Sequence, residues 1–179
     1  MKRVISVALL ILSVQLSNAQ DGGDRVFKKF KTDVSLGYAI PEGSGTKGGV
    51  LFVIEPKFAI IDKLSVGLRM EAAGLANVDL AGETGTVRIL SSYLATSDYY
   101  FTTNKFRPFV GAGAGIFTMA SYDIEGSTQE VPSTSDFGFM TRAGFEAGHF
   151  RLGGEYNFLK NKGGYIGIKV GVCIGGGEK

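Results

Sequence analysis

The 179-residue chain predicts an all-β fold, an eight-stranded antiparallel up-and-down transmembrane β-barrel, on three observations. Apolar residues alternate with small or polar ones along stretches of about ten residues, the length a tilted strand needs to cross a bilayer. Long polar connections alternate with tight ones between these stretches. After residue 19 no apolar run is long enough for a spanning helix, so a crossing must be made by a closed sheet, which pairs every backbone group without water.

Residues 1–19 read as an export signal. Lys2 and Arg3 give a positive start, Val4 to Leu12 is apolar apart from Ser6, and Ser17-Asn18-Ala19 places small residues where a signal peptidase cuts, ahead of Gln20. No Cys follows the apolar run, which excludes a lipid-anchored form. Residues 20–31 are then expected as a short N-terminal periplasmic segment, 32–176 as the barrel and 177–179 as a tail.

Removing the signal takes two of the 19 Lys+Arg and none of the 17 Asp+Glu, so the exported part carries 17 of each sign. Without a basic excess there is no electrostatic case for a nucleic-acid partner. The single Cys173 excludes an internal disulfide framework and a multi-Cys metal site, and no cofactor is expected.

The strands follow in order. Val34, Leu36, Tyr38 and Ile40 alternate with Asp33, Ser35, Gly37 and Ala39. Residues 49–57 are apolar on both faces until Glu55. Leu64, Val66, Leu68, Met70 and Ala72 alternate with Ser65, Gly67, Arg69, Glu71 and Ala73. Residues 86–101 are long, with the alternation blurred at Ser91-Ser92, and 107–119 are interleaved with Gly and Ala. Phe137, Phe139, Thr141, Ala143 and Phe145 oppose Gly138, Met140, Arg142, Gly144 and Glu146. Phe150, Leu152, Tyr156 and Phe158 oppose Arg151, Gly153, Glu155 and Asn157. In the last strand Ile166, Ile168, Val170, Val172 and Ile174 oppose Tyr165, Gly167, Lys169, Gly171 and Cys173. Residues 41–48, 74–85, 120–135 and 159–163 are the long connections, while 58–63, 102–106 and 147–149 are the turns; this asymmetry places the turns and both termini on the periplasmic side.

The sense of the alternation separates a membrane barrel from a soluble sandwich. In the membrane case the apolar face meets lipid, and the inner face must fit a narrow lumen with small residues and paired charges. Glu55, Arg69, Glu71, Arg142, Glu146, Arg151, Glu155 and Lys169 are expected there, four of each sign, all mid-strand on the face that carries the glycines. As buried charges they must pair, and a side-chain-filled interior argues against a water-filled pore.

Arg107 to Phe117 (RPFVGAGAGIF), Ser92 to Phe101 (SYLATSDYYF) and Tyr165 to Gly176 (YIGIKVGVCIGG) resemble segments of the small outer-membrane β-barrel proteins related to OmpA, OmpX and OmpW. The resemblance covers most of residues 32–176 and implies an eight-stranded outer-membrane barrel without shared catalytic residues. Such barrels often end in an aromatic residue read by the assembly machinery; here Ile174 is placed to close the last strand, followed by Gly175-Gly176-Gly177-Glu178-Lys179.

Other motifs carry no chemistry. Gly111, Gly113 and Gly115 lack the third glycine of a dinucleotide fingerprint, since residue 116 is Ile. His149, the only histidine, falls in a turn with no Ser nearby for a triad. Cys173 falls on the inner face as a packed thiol. Tyr93, Tyr99, Tyr100, Phe101, Phe106 and Phe109 are expected as an interfacial girdle around the 102–106 turn.

The expected function is a non-enzymatic outer-membrane protein, structural or displaying its loops, with outer-membrane lipid and the barrel-assembly machinery as partners. A narrow channel or transporter for small solutes, hydrophobic ones included, and a soluble periplasmic ligand-binding barrel are the alternatives. The loops' own partner is not legible in the sequence.

Overall fold

The computed structural model describes residues 25–42, 48–78, 85–123, 134–159 and 163–176. The expected signal peptide at 1–19, the tips of the long connections and the 177–179 tail lie outside the described residues.

Alternation becomes strand wherever the two faces differ. The strands are β1 (Phe30–Pro41), β2 (Gly49–Ile61), β3 (Leu64–Val78), β4 (Gly85–Tyr100), β5 (Phe106–Asp123), β6 (Thr134–Ala147), β7 (Phe150–Leu159) and β8 (Gly163–Gly175). Each pairs antiparallel with its neighbours in sequence, and β8 returns to β1 (Val34 opposite Val172), closing the barrel. Closure leaves no unpaired edge, the condition for a sheet to sit in lipid.

Several strands outrun the sequence expectation. β3, β4 and β5 have 15, 16 and 18 residues, and the ladder continues through Leu75 opposite Arg88 and Thr86 opposite Asp123. The connections expected at 74–85 and 120–135 are therefore shorter. Polar residues there interrupt the apolar alternation without interrupting backbone pairing, which needs no apolar face outside the membrane. β2 continues through Pro56 to Ile61; Pro56 has no N–H to give, and the β2–β3 ladder skips Glu55 and Pro56. β1 begins at Phe30 rather than 32.

The large exposed side chains are apolar, among them Leu36, Val50, Phe52, Leu68, Phe137, Phe139, Ile168 and Ile174. Buried side chains include Lys57, Arg69, Asp98, Arg142 and Glu146. This is the inverse of a soluble β protein and the arrangement of a membrane barrel. The girdle needs one correction. Tyr99, Phe101 and Phe106 face outward beside the β4–β5 turn, and Tyr93 faces outward at mid-strand, but Tyr100 and Phe109 are buried inside. Tyr99 and Tyr100 are successive strand residues and must take opposite faces, and Phe109 shares its face with Arg107.

Candidate functional site

The interior of the barrel is filled in layers. At the end that carries the turns, residues 25–29 fold under the mouth. Arg25 donates to the carbonyls of Ala59 and Ile60 at 2.9 and 2.7 Å, and Asp62 accepts from the amides of Val26 and Phe27. Phe27 is thereby buried beneath Arg107, whose guanidinium carbon lies 4.0 Å from its ring centre. A cavity of about 20 Å³ remains among Phe27, Lys31, Ser65, Tyr100 and Arg107, room for about one water.

Above it, Glu146 collects four donors. Lys31 reaches it at 2.5 Å, the Tyr100 hydroxyl at 2.7 Å and Arg107 at 2.7 Å, and Arg151 pairs with it as well. Three of the four reach Oε1 and Arg107 takes Oε2, so both oxygens of this buried carboxylate are engaged. Arg151 also lies over the Phe109 ring at 3.7 Å, so the inward-facing aromatic pair packs against the cations.

The next layer ties opposite walls together. Arg142 holds both carboxylate oxygens of Glu55 at 2.7 Å and gives Nε to Asp98 at 2.7 Å. Asp98 also receives Lys57 at 2.6 Å and Arg151 at 2.8 Å, and Asp33 pairs with Lys57 at 2.5 Å. Long side chains fit because glycines face them. A Cβ on Gly111 would stand 2.2 Å from Asp98 Oδ1, and one on Gly167 would stand 2.9 Å from the Glu155 side chain.

Toward the loop end, Arg69 pairs with both Glu71 and Glu155, Lys169 meets Glu155 at 2.5 Å, and the Tyr165 hydroxyl donates to Glu71. An apolar layer packs over this cluster: Ala39, Leu51, Val53, Ala73, Leu90, Leu94, Phe117 and Met140, with the Tyr165 ring among them. Phe117 and Tyr165 meet edge to face at 6.4 Å.

All eight charged residues expected inside are there, buried and paired. Two features differ from expectation. Glu146 and Arg151 flank the β6–β7 turn rather than lying mid-strand. The network is also larger than four against four: Lys31, Asp33, Lys57, Asp98 and Arg107 are buried too, making six acidic and seven basic groups among the described residues. Strand parity is the signal that places them. Asp33 shares its face with Ser35 and Gly37, Lys57 with Glu55, Asp98 with Thr96, and Arg107 with Gly111.

Asp33, Glu146 and Cys173 bring three potential metal-ligand atoms within 4.8 Å of one another. Lys31, Lys57 and Arg151 already neutralise those carboxylates, so a cation has little to gain there. His149 is exposed in the β6–β7 turn, its Nδ1 2.8 Å from the Cys173 carbonyl oxygen, with no nucleophile beside it among the described residues.

No protein-family model matches the chain, and no curated protein is significantly similar to it. Solved structures are. Neisserial surface protein A is 18% identical, with a TM-score of 0.67 over 83% of this chain and 98% of that one. This chain has the fold of the small outer-membrane β-barrels. The N-terminal barrel domain of Pseudomonas aeruginosa OprF is 15% identical, with a TM-score of 0.52 over 83% of this chain and 99% of that one. Ail, the attachment invasion locus protein of Yersinia pestis, is 16% identical at a TM-score of 0.51, covering 82% of this chain and 100% of the other. These likenesses establish architecture.

Proposed function

We propose that the chain is a non-enzymatic integral protein of a bacterial outer membrane, exported by its first 19 residues, with a structural interior and four displayed loops. The observation that carries this reading is the continuous filling of the lumen. A charge network spans every strand from the mouth to mid-barrel, and an apolar cluster packs toward the loop end. The apolar cluster lies across the loop end among the described residues, which weighs against a channel. The many large apolar side chains on the outer face weigh against a soluble periplasmic barrel, because water tolerates only small exposed apolar patches.

Two measurements test it together. The protein should fractionate with outer membranes and migrate faster on gels before boiling than after, as a closed barrel resists detergent unfolding. In planar bilayers it should give no steady conductance. Recovery as a soluble periplasmic protein, or a stable open conductance, sinks the reading.

A further inference from the structure

The two ends of the barrel differ in charge. Among the described residues, the rim at the turn end holds Arg25, Lys28, Lys29, Lys63 and Lys105 against one acidic group, Asp62. Asp62 already accepts from the Val26 and Phe27 amides at 3.2 and 3.3 Å, and Lys28, Lys63 and Lys105 are exposed. In sequence, the segments joining strands at the loop end carry Glu42, Asp79, Glu83, Glu125 and Glu130 against Lys47, Lys160 and Lys162, whereas residues 20–29, 61–63, 101–105, 147–149 and 175–179 at the turn end carry Arg25, Lys28, Lys29, Lys63, Lys105 and Lys179 against Asp21, Asp24, Asp62 and Glu178.

Beside the basic rim lies an outward belt that includes Phe30, Ile61, Phe101 and Phe106, all about half exposed. Aromatics at that level sit at the boundary between acyl chains and headgroups, and a lysine just beyond them reaches the phosphate plane. Arg25 is committed to the carbonyls of Ala59 and Ile60, and the Ala59 amide donates to the Lys29 carbonyl at 2.7 Å. These bonds pin residues 25–29 to the β2–β3 turn and hold Lys28 at the rim. The cations cover the side from β1 to β5, since the β6–β7 turn offers only His149.

We propose that this rim binds the headgroups of anionic phospholipids in the periplasmic leaflet, with Lys28, Lys63 and Lys105 contacting the phosphodiesters. A zwitterionic headgroup brings its own cation and gains less at such a rim. The proposal rests on the outer-membrane reading above, which fixes the turn end as periplasmic.

The test uses the full chain refolded into phosphatidylcholine nanodiscs containing spin-labelled phosphatidylglycerol or spin-labelled phosphatidylcholine. At low salt the labelled phosphatidylglycerol should be enriched at the protein. The enrichment should fall on the order of five-fold for each lysine removed in Lys28→Gln, Lys63→Gln and Lys105→Gln, and should fade with added salt in the unaltered protein. Lys47→Gln, Lys160→Gln and Lys162→Gln together should leave it intact. Equal association of both lipids with a correctly inserted, heat-modifiable barrel overturns the proposal and leaves the outer-membrane reading standing. Loss of the preference to millimolar inorganic phosphate at constant ionic strength assigns the site to free phosphate and overturns the lipid assignment. Failure to insert into either bilayer overturns the outer-membrane reading itself.

Discussion

Arg142 on β6 grips the carboxylate of Glu55 on β2 with both terminal nitrogens, each at 2.7 Å, joining two strands that are not neighbours in the sheet. A barrel wall is held by ladders between adjacent strands, and this pair braces it across its diameter. Bidentate geometry is the strongest form of such a contact. Arg142→Met leaves Glu55 buried with Thr96 and a Lys57 at 3.6 Å. Stranding a buried charge should cost about 3–5 kcal/mol. Glu55→Leu combined with Arg142→Met should cost less than the sum of the single changes. Far-UV circular dichroism during urea unfolding in micelles measures this, since the chain has no Trp to report.

Space is as specific as charge in this lumen. Gly111→Ala drives a Cβ to 2.2 Å from Asp98 Oδ1 and 2.7 Å from the Ser97 carbonyl. The aspartate can retreat only by loosening from Arg142, Lys57 and Arg151. Overpacking of this kind should destabilise by about 1–3 kcal/mol. Gly154→Ala faces outward with no atom within 4 Å and should be close to neutral. Equal effects from the two substitutions, read by the temperature at which the compact gel form is lost, contradict the account.

Five of the eight strands, β1, β3, β6, β7 and β8, were legible because each has two unlike faces, and the lumen charges expected on them because parity follows from the same alternation. Reading stopped where alternation stopped. In β2, Val53 and Ile54 are both apolar, so Lys57 had no face assigned, although Glu55 two residues away fixed it. In β4, Ser91-Ser92 blurred the phase, and Asp98 and Tyr100 went unplaced inside. The apolar layer of Leu51, Leu90, Leu94, Phe117 and Met140 was illegible for a different reason. An inward Leu and an outward Leu look alike until strand register says which strands share a level, and register is a property of pairs.

Cys173 gives a chemical probe of closure. Its side chain is buried at the turn end of the lumen, beside Asp33 and Glu146. A water-soluble maleimide should leave the folded barrel unlabelled and add a single adduct after denaturation, read by intact mass. Labelling of the folded form at a rate near that of free cysteine means that the mouth is open to solvent. Arg25→Ala, which releases the carbonyls of Ala59 and Ile60, tests whether the folded N-terminal segment supplies part of the protection. Faster labelling in that variant, with gel mobility unchanged, is the expected result.

Ile168 and Lys169 are adjacent in the middle of β8 and point to opposite sides of the wall, the first outward and exposed, the second inward and paired with Glu155 at 2.5 Å. Their exchange of character separates a membrane barrel from a water-soluble one. If lipid surrounds the wall, Ile168→Lys moves an ammonium into hydrocarbon and should destabilise by about 2–4 kcal/mol near the midplane. In water the same change removes an exposed apolar side chain and should be near neutral or should improve solubility. Lys169→Met acts in either surrounding, because it leaves Glu155 with Arg69 alone among its ion-pair partners. The deciding quantity is therefore the Ile168→Lys effect measured in lipid vesicles. Ile174→Lys, near the rim, supplies the depth control: its effect should shrink to about 0–1 kcal/mol. A neutral Ile168→Lys in vesicles rejects the lipid-facing assignment of this wall, while a large cost at Ile168 and a small one at Ile174 fixes both the facing and the depth of β8.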